Sequence, residues 1–243
     1  MHIPSMPAML SSAGRKLGIG ALALIALLAM PSAVSGAADI VVAGAPSGST
    51  LRLSVHDGSI LVDGNMARRN PVGCQFTVHH RAAACPTGGA AAIEVNMGAS
   101  GDFVRVEKSL PLPLVVHLGG GSDKFIGNGE RDICFGEGSR RNRCVGGGGD
   151  DVCITGPRNS DCVGGPGDDY CRTSTGSDGC WGGPGADVCV MGPGEDGCHG
   201  EGGDDRLYGG AGADQLYGGP GRDYCDGGPG RGKSHECEAG PGH

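Results

Sequence analysis

Aromatic side chains make up only 4% of the 243 residues, with one Trp, four Tyr and four Phe. That scarcity excludes a large mixed core, since aromatics carry much of the area such cores bury. Catalytic signatures are missing too. There is no HExxH and no GxSxG, and the eight His are scattered. No nucleophile–base pair can be assembled, so no catalytic residue is assigned and no enzyme is expected. Basic charge is also in short supply. Setting aside Arg15 and Lys16 from the 19 basic residues leaves 17 against 27 acidic, a net charge of −10. That balance disfavours nucleic acid and anionic membranes as partners and favours cations.

What the chain has is glycine, 51 residues of it, with 15 Pro and 12 Cys. Such composition fits either disorder or a repeat that buries little per unit, and a fixed period decides for the repeat. The first 37 residues stand apart. Arg15 and Lys16 precede a short apolar run over 17–30, and Ser35-Gly36-Ala37 offers small residues for cleavage. Residues 1–37 read as a signal peptide, with a membrane anchor as the alternative. The mature chain is expected to begin near Ala38, to be secreted and extracellular, and to contain no membrane span.

From Leu118 the chain divides into nines: LGGGSDKFI, GNGERDICF, GEGSRRNRCV with one extra residue, GGGGDDVCI, TGPRNSDCV, GGPGDDYCR and onward to GGPGRDYCD. The shape GGxGxD followed by x-U-x resembles the repeats-in-toxin, or hemolysin-type, calcium-binding family, over about residues 118–226 and weakly over 97–105. The resemblance implies an all-β fold: a right-handed parallel β-roll, with two nonapeptides per coil and calcium between neighbouring turns. Residue chemistry agrees with it. Glycine permits tight turns and close approach of carbonyls. Calcium takes six to eight oxygen ligands. One inward apolar residue per strand makes a thin core, so ions must contribute to folding.

Alternate turns stack on opposite edges. One edge carries an unbroken rank, Asp132, Asp151, Asp169, Asp187, Asp205 and Asp223. The other is degraded, with Arg141, Ser160 and Gly232 in place of the acid and only Asp178, Asp196 and Asp214 continuous; Asp123 stands before the break. These aspartates are the candidate calcium ligands, together with carbonyls at turn glycines such as Gly146, Gly164, Gly182 and Gly218. A lone Asp in such a turn would read as a turn former bonding its own backbone. Six in register do not.

The inward slot holds Cys134, Cys144, Cys153, Cys162, Cys171, Cys180, Cys189, Cys198 and Cys225, and Cys237 follows in the cap. In an exported chain disulfides are expected. Slots eighteen apart point in parallel, whereas slots nine apart face each other across the roll. The expected pairs are Cys134–Cys144, Cys153–Cys162, Cys171–Cys180, Cys189–Cys198 and Cys225–Cys237, since the shifted register would strand Cys134 and Cys198. Each straddles a turn of the weaker edge, as if bridges replaced ions there. Cys74 and Cys85 are expected to close a hairpin.

The expected organisation is 1–37 signal peptide, 38–115 an N-terminal β cap, 116–226 the calcium-binding roll and 227–243 a C-terminal cap. The leading function is a secreted calcium-binding roll with a structural or interaction role, whose protein or surface partner the sequence does not name. The alternatives are an ice- or surface-binding repeat protein and an accessory domain of an extracellular enzyme.

Overall fold

Strands in this chain are short because each nonapeptide leaves only about three residues between one glycine-rich turn and the next. Those residues, such as Asp161–Val163 or Tyr224–Asp226, alternate outward, inward, outward. The computed structural model describes residues 40–44, 48–56, 59–64, 75–76, 82–86, 90, 92–138, 140–238 and 240, all within the compact unit Ala37–His243. The expected signal peptide and Cys74 lie outside these described residues, and with Cys74 the expected Cys74–Cys85 bridge.

Every element among them is β, arranged as stacked parallel coils that form a β-solenoid. The first sheet has nine strands, running in order from Ile40–Ala43 through Ile93–Asn96, Leu114–His117 and Ile133–Gly136 to Tyr224–Asp226. The second has twelve, and alternates with the first along the chain from Thr50–His56 and Phe103–Val106 to Lys233–His235. Parallel registers step by one coil, as in Cys153↔Cys171 and Cys162↔Cys180. The extra residue of the third nonapeptide is absorbed before residue 142, so Ile133 pairs with Val152 without a slip.

The N-terminal region does more than cap. Ile40 pairs in parallel with Ile93, Ile93 with Leu114, and Thr50 with Phe103, so the coils continue upstream of the recognisable nonapeptides. The antiparallel strands Ser59–Gly64, Ala82–Pro86 and Gln75–Phe76 extend the end of the second sheet beyond Thr50–His56. These three strands cover the edge of Thr50–His56, which would otherwise offer free backbone groups.

The interior changes composition along the stack. Upstream coils bury Val42, Leu51, Leu53, Ile93, Val95, Val104, Val116 and Phe125. From Cys134 the slot is cysteine, and Leu207 and Leu216 return near the far end. Four described bridges cross the roll: Cys134–Cys144, Cys153–Cys162, Cys180–Cys189 and Cys225–Cys237, with Cα separations of 5.9 to 6.6 Å.

Two expected bridges, Cys171–Cys180 and Cys189–Cys198, are not formed. Cys180 pairs forward with Cys189, and Cys171 and Cys198 are buried free thiols. The reason is geometric. A slot in one sheet faces two slots of the other, one nine residues before it and one nine after. Spacing therefore fixes the facing sheet but not the phase. The Cys171 sulfur lies within 4.8 Å of both sulfurs of the Cys153–Cys162 bridge and of both sulfurs of Cys180–Cys189. Three of the four bridges straddle turns of the weaker edge. Cys180–Cys189 instead encloses GGPGAD, an intact turn of the stronger one, so bridge and ion are not strict substitutes.

Alkylation of the unfolded, unreduced protein should therefore label Cys171 and Cys198 and leave Cys180 linked to Cys189. Peptide mapping checks this, and a recovered Cys171–Cys180 linkage would contradict the observed phase.

Candidate metal centre in the stacked turns

Each turn must reverse the chain within six residues, and glycine makes this possible at two kinds of position. Gly185, fourth in its turn, has φ 147°, a region closed to most side chains. Gly146, first in its turn, faces the carboxylate of its own sixth residue, and a Cβ there would lie 2.0 Å from Asp151 Oδ2. The same close approach recurs at Gly164, Gly182 and Gly218, against Asp169, Asp187 and Asp223. These four glycines thus make the room in which the carboxylate sits. The carbonyls of Gly164 and Gly182 also accept the amides of Gly147 and Gly165 in the preceding coil.

The sixth-position aspartates are buried, at 1–4% exposure on both edges. Their two oxygens have different partners. On the stronger edge the amides of Asp132, Asp151, Asp169, Asp187 and Asp205 donate to Oδ1 of the Asp in the next coil, at 2.7–2.9 Å. The rank begins at the Leu114 amide, which donates to Asp132, and ends at Glu238, which accepts from the Asp223 amide. Oδ1 thus closes the backbone ladder along the edge. Oδ2 is buried without any hydrogen-bond partner at Asp151, Asp169, Asp187, Asp205 and Asp223.

The weaker edge keeps the first role more completely than its sequence implies. Its ladder runs through Asp102, Asp123, Asn142, Ser160, Asp178, Asp196 and Asp214. Because the extra residue sits upstream of it, Asn142 rather than Arg141 takes the sixth position, and its Oδ1 accepts the Asp123 amide. Ser160 Oγ accepts the Asn142 amide at 3.3 Å. Asn and Ser can serve as backbone acceptors, but they have no second anionic oxygen. Orphaned Oδ2 atoms on this edge belong to Asp123, Asp178, Asp196 and Asp214. Two upstream aspartates differ. Asp132 Oδ2 accepts the Asn128 amide and Asp102 Oδ2 the Gly98 amide, so the protein satisfies both oxygens of each.

Nine buried, unpartnered carboxylate oxygens in regular rows are costly. Burial, opposed only in part by the backbone hydrogen bond, pushes the carboxyls up: Asp123 and Asp205 to about 6, Asp132, Asp169, Asp187 and Asp196 to about 7, and Asp151 to about 9. At Asp151 the neighbouring charges of Asp132 and Asp169 add to the effect of burial. A divalent cation that prefers hard oxygen donors removes both costs at once. The donor set fits calcium: carboxylate oxygens with turn carbonyls nearby, and no side-chain nitrogen or sulfur in the rank.

Residues 163–197 and 199–232 match the model of one family, the RTX calcium-binding nonapeptide repeat (4 copies). These residues carry RTX repeats. No curated protein and no solved structure matches the chain. Along the roll, Oδ2 of Asp151, Asp169, Asp187, Asp205 and Asp223 would hold calcium on one edge, and Asp178, Asp196 and Asp214 on the other, with Asp123 isolated. The ion would neutralise the rank.

A row of aromatic rings escaped the reading from sequence. Trp181, His199, Tyr217 and His235 lie on successive coils of the second sheet and stack with centroids 4.7–5.9 Å apart. The signal was present, an aromatic or imidazole ring every eighteen residues just after the inward slot. Thr155 and Thr173, eighteen residues apart, are buried at 4% and 5%, so they present no rank to a surface.

The two roles of each Asp can be separated. Asp187→Asn keeps an acceptor for the Asp169 amide and removes the second anionic oxygen. Its thermal midpoint should equal or exceed that of the parent in chelator and fall below it in calcium, whereas Asp187→Ala should lose stability in both. An Asp187→Asn midpoint equal to that of the parent in calcium would show that the rank serves hydrogen bonding alone.

The pH response follows from the raised carboxyls. A raised folded value means that ion-free stability is complete below about pH 4 and is lost as pH rises through 6 to 9. Calcium takes the deprotonated form and abolishes that loss. Midpoints in chelator should fall from pH 5 to pH 9, and midpoints in saturating calcium should not. A midpoint in chelator that climbs over this range would count against the buried-carboxyl account.

Proposed function

We propose that the protein is an exported, non-enzymatic calcium-binding roll whose role is structural or interactive. Calcium sits between stacked turns, and disulfides staple the roll from within. The observation that carries this reading is the row of buried Oδ2 atoms without partners, one per turn from Asp151 to Asp223 on the stronger edge. A purely structural turn would use Asn or Ser, as Asn142 and Ser160 do, and bury no anionic oxygen. Export is supported by the apolar run after Arg15 and Lys16, and by cysteine-rich coils that are bridged in four places. Extracellular calcium modules bind at about 10⁻⁴–10⁻³ M, a range in which the array would be filled outside the cell.

The experiment is a calcium titration of the oxidised protein, followed by circular dichroism and calorimetry. Calcium should raise the β signal and the thermal midpoint, and magnesium at equal concentration should do so far less. If chelator leaves both quantities unchanged, the calcium role is wrong.

A further inference from the structure

The weaker edge has one step with no carboxylate on either side, between the turns ending in Asn142 and Ser160. An open cavity of about 580 Å³ lies at these two turns, lined by Arg140, Arg141, Arg158 and Asn159. Three guanidinium groups thus gather where the cation ladder is interrupted, in a chain that is otherwise acidic. Only Arg141 is engaged: its Nη2 donates to Asp161 Oδ2 at 2.8 Å. The side chains of Arg140 and Arg158 have no hydrogen-bond or ion-pair partner among the described residues.

Arg158 supplies a second observation. It occupies the fourth position of its turn, where intact turns carry glycine, and it has φ 110°. Its backbone is therefore strained in a conformation that glycine would adopt freely. Strain held at one residue of a cavity is a mark of use rather than of packing. Nothing in the fold requires the guanidinium there, since the backbone of the turn continues through the Arg158 amide, which donates to Thr175, and its carbonyl, which accepts from Ser160 Oγ.

We propose that this cleft binds a tetrahedral oxyanion, a sulfate or phosphate group, between Arg140, Arg141 and Arg158, with the Asn159 amide beside it. Planar guanidinium forks match such oxygens in geometry and charge. The edge thus switches along its length from cation sites to an anion site. Calcium held at Asp178 on the next coil, as the proposed function has it, would strengthen the local positive field.

The test uses full-length oxidised protein saturated with calcium, titrated with sodium sulfate at constant ionic strength in chloride. Sulfate is used because phosphate would precipitate the calcium. NMR of the arginine Nε–H signals should show saturable shifts at Arg140, Arg141 and Arg158. The informative variant is Arg158→Gly. It should raise the thermal midpoint, leave calcium stoichiometry unchanged, and weaken sulfate binding at least tenfold. Arg140→Gln should weaken binding without changing the midpoint, and Arg231→Gln should do neither. Glucose 6-sulfate in a parallel arm distinguishes the source. Tighter binding than inorganic sulfate marks a group carried on a sugar, and weaker binding marks the free ion. Shifts that chloride reproduces, or an Arg158→Gly variant that binds sulfate like the parent, would overturn the proposal. Because calcium stoichiometry is read separately, failure here is distinguishable from failure of the calcium sites.

Discussion

The structure depends on a buried aspartate whose two oxygens face different demands. One oxygen accepts the amide of the coil before it, and the other meets nothing the protein provides. The first contact ties each coil to its neighbour at a repeat of eighteen residues. The second makes the stack incomplete by itself. Glycine at the head of each turn on the stronger edge follows from this, because a Cβ there would strike the carboxylate. So does the thin interior: a solenoid that gains cohesion at its edges can manage with one inward side chain per strand.

The interior shows how that cohesion is supplemented. Aliphatic side chains fill the upstream coils, and cysteines fill the middle. A thiol or half-cystine is smaller than leucine and buries less apolar area, so those coils lose transfer free energy. Each bridge of nine or ten residues returns about 2.5 kcal/mol by the loop-entropy estimate. The bridges at Cys134–Cys144 and Cys153–Cys162 lie over Asn142 and Ser160, where a carboxylate is missing. The Cys180–Cys189 bridge lies over an intact turn, so covalent and ionic support overlap there.

Much of this was legible in the sequence because the repeat is strict. The inward cysteines, the two edges and the Asp ranks follow from counting in nines. The counting stopped where local symmetry left two equal choices, or where the repeat was disguised. Cys180 has two facing neighbours at the same spacing, and sequence cannot pick between them. The insertion hid Asn142 behind Arg141, so an intact hydrogen-bond ladder read as a broken one. The coils around Ile40, Ile93 and Val104 lack glycine turns of the standard shape, and only the parallel pairing shows that they belong to the same stack. Asp132 read as a calcium ligand like its neighbours, yet Asn128 satisfies its second oxygen.

The eighteen-residue register also sets how such a gene can change in length. Adding or removing a whole coil leaves every remaining side chain beside a neighbour of the same kind. Adding nine residues would exchange the two edges beyond that point, joining an acidic rank to a neutral one. A single residue can be accommodated only inside a turn, as before Asn142, since anywhere in a strand it would turn the inward slot to solvent. Copy number is therefore free to drift among descendants of this chain while phase is held fixed.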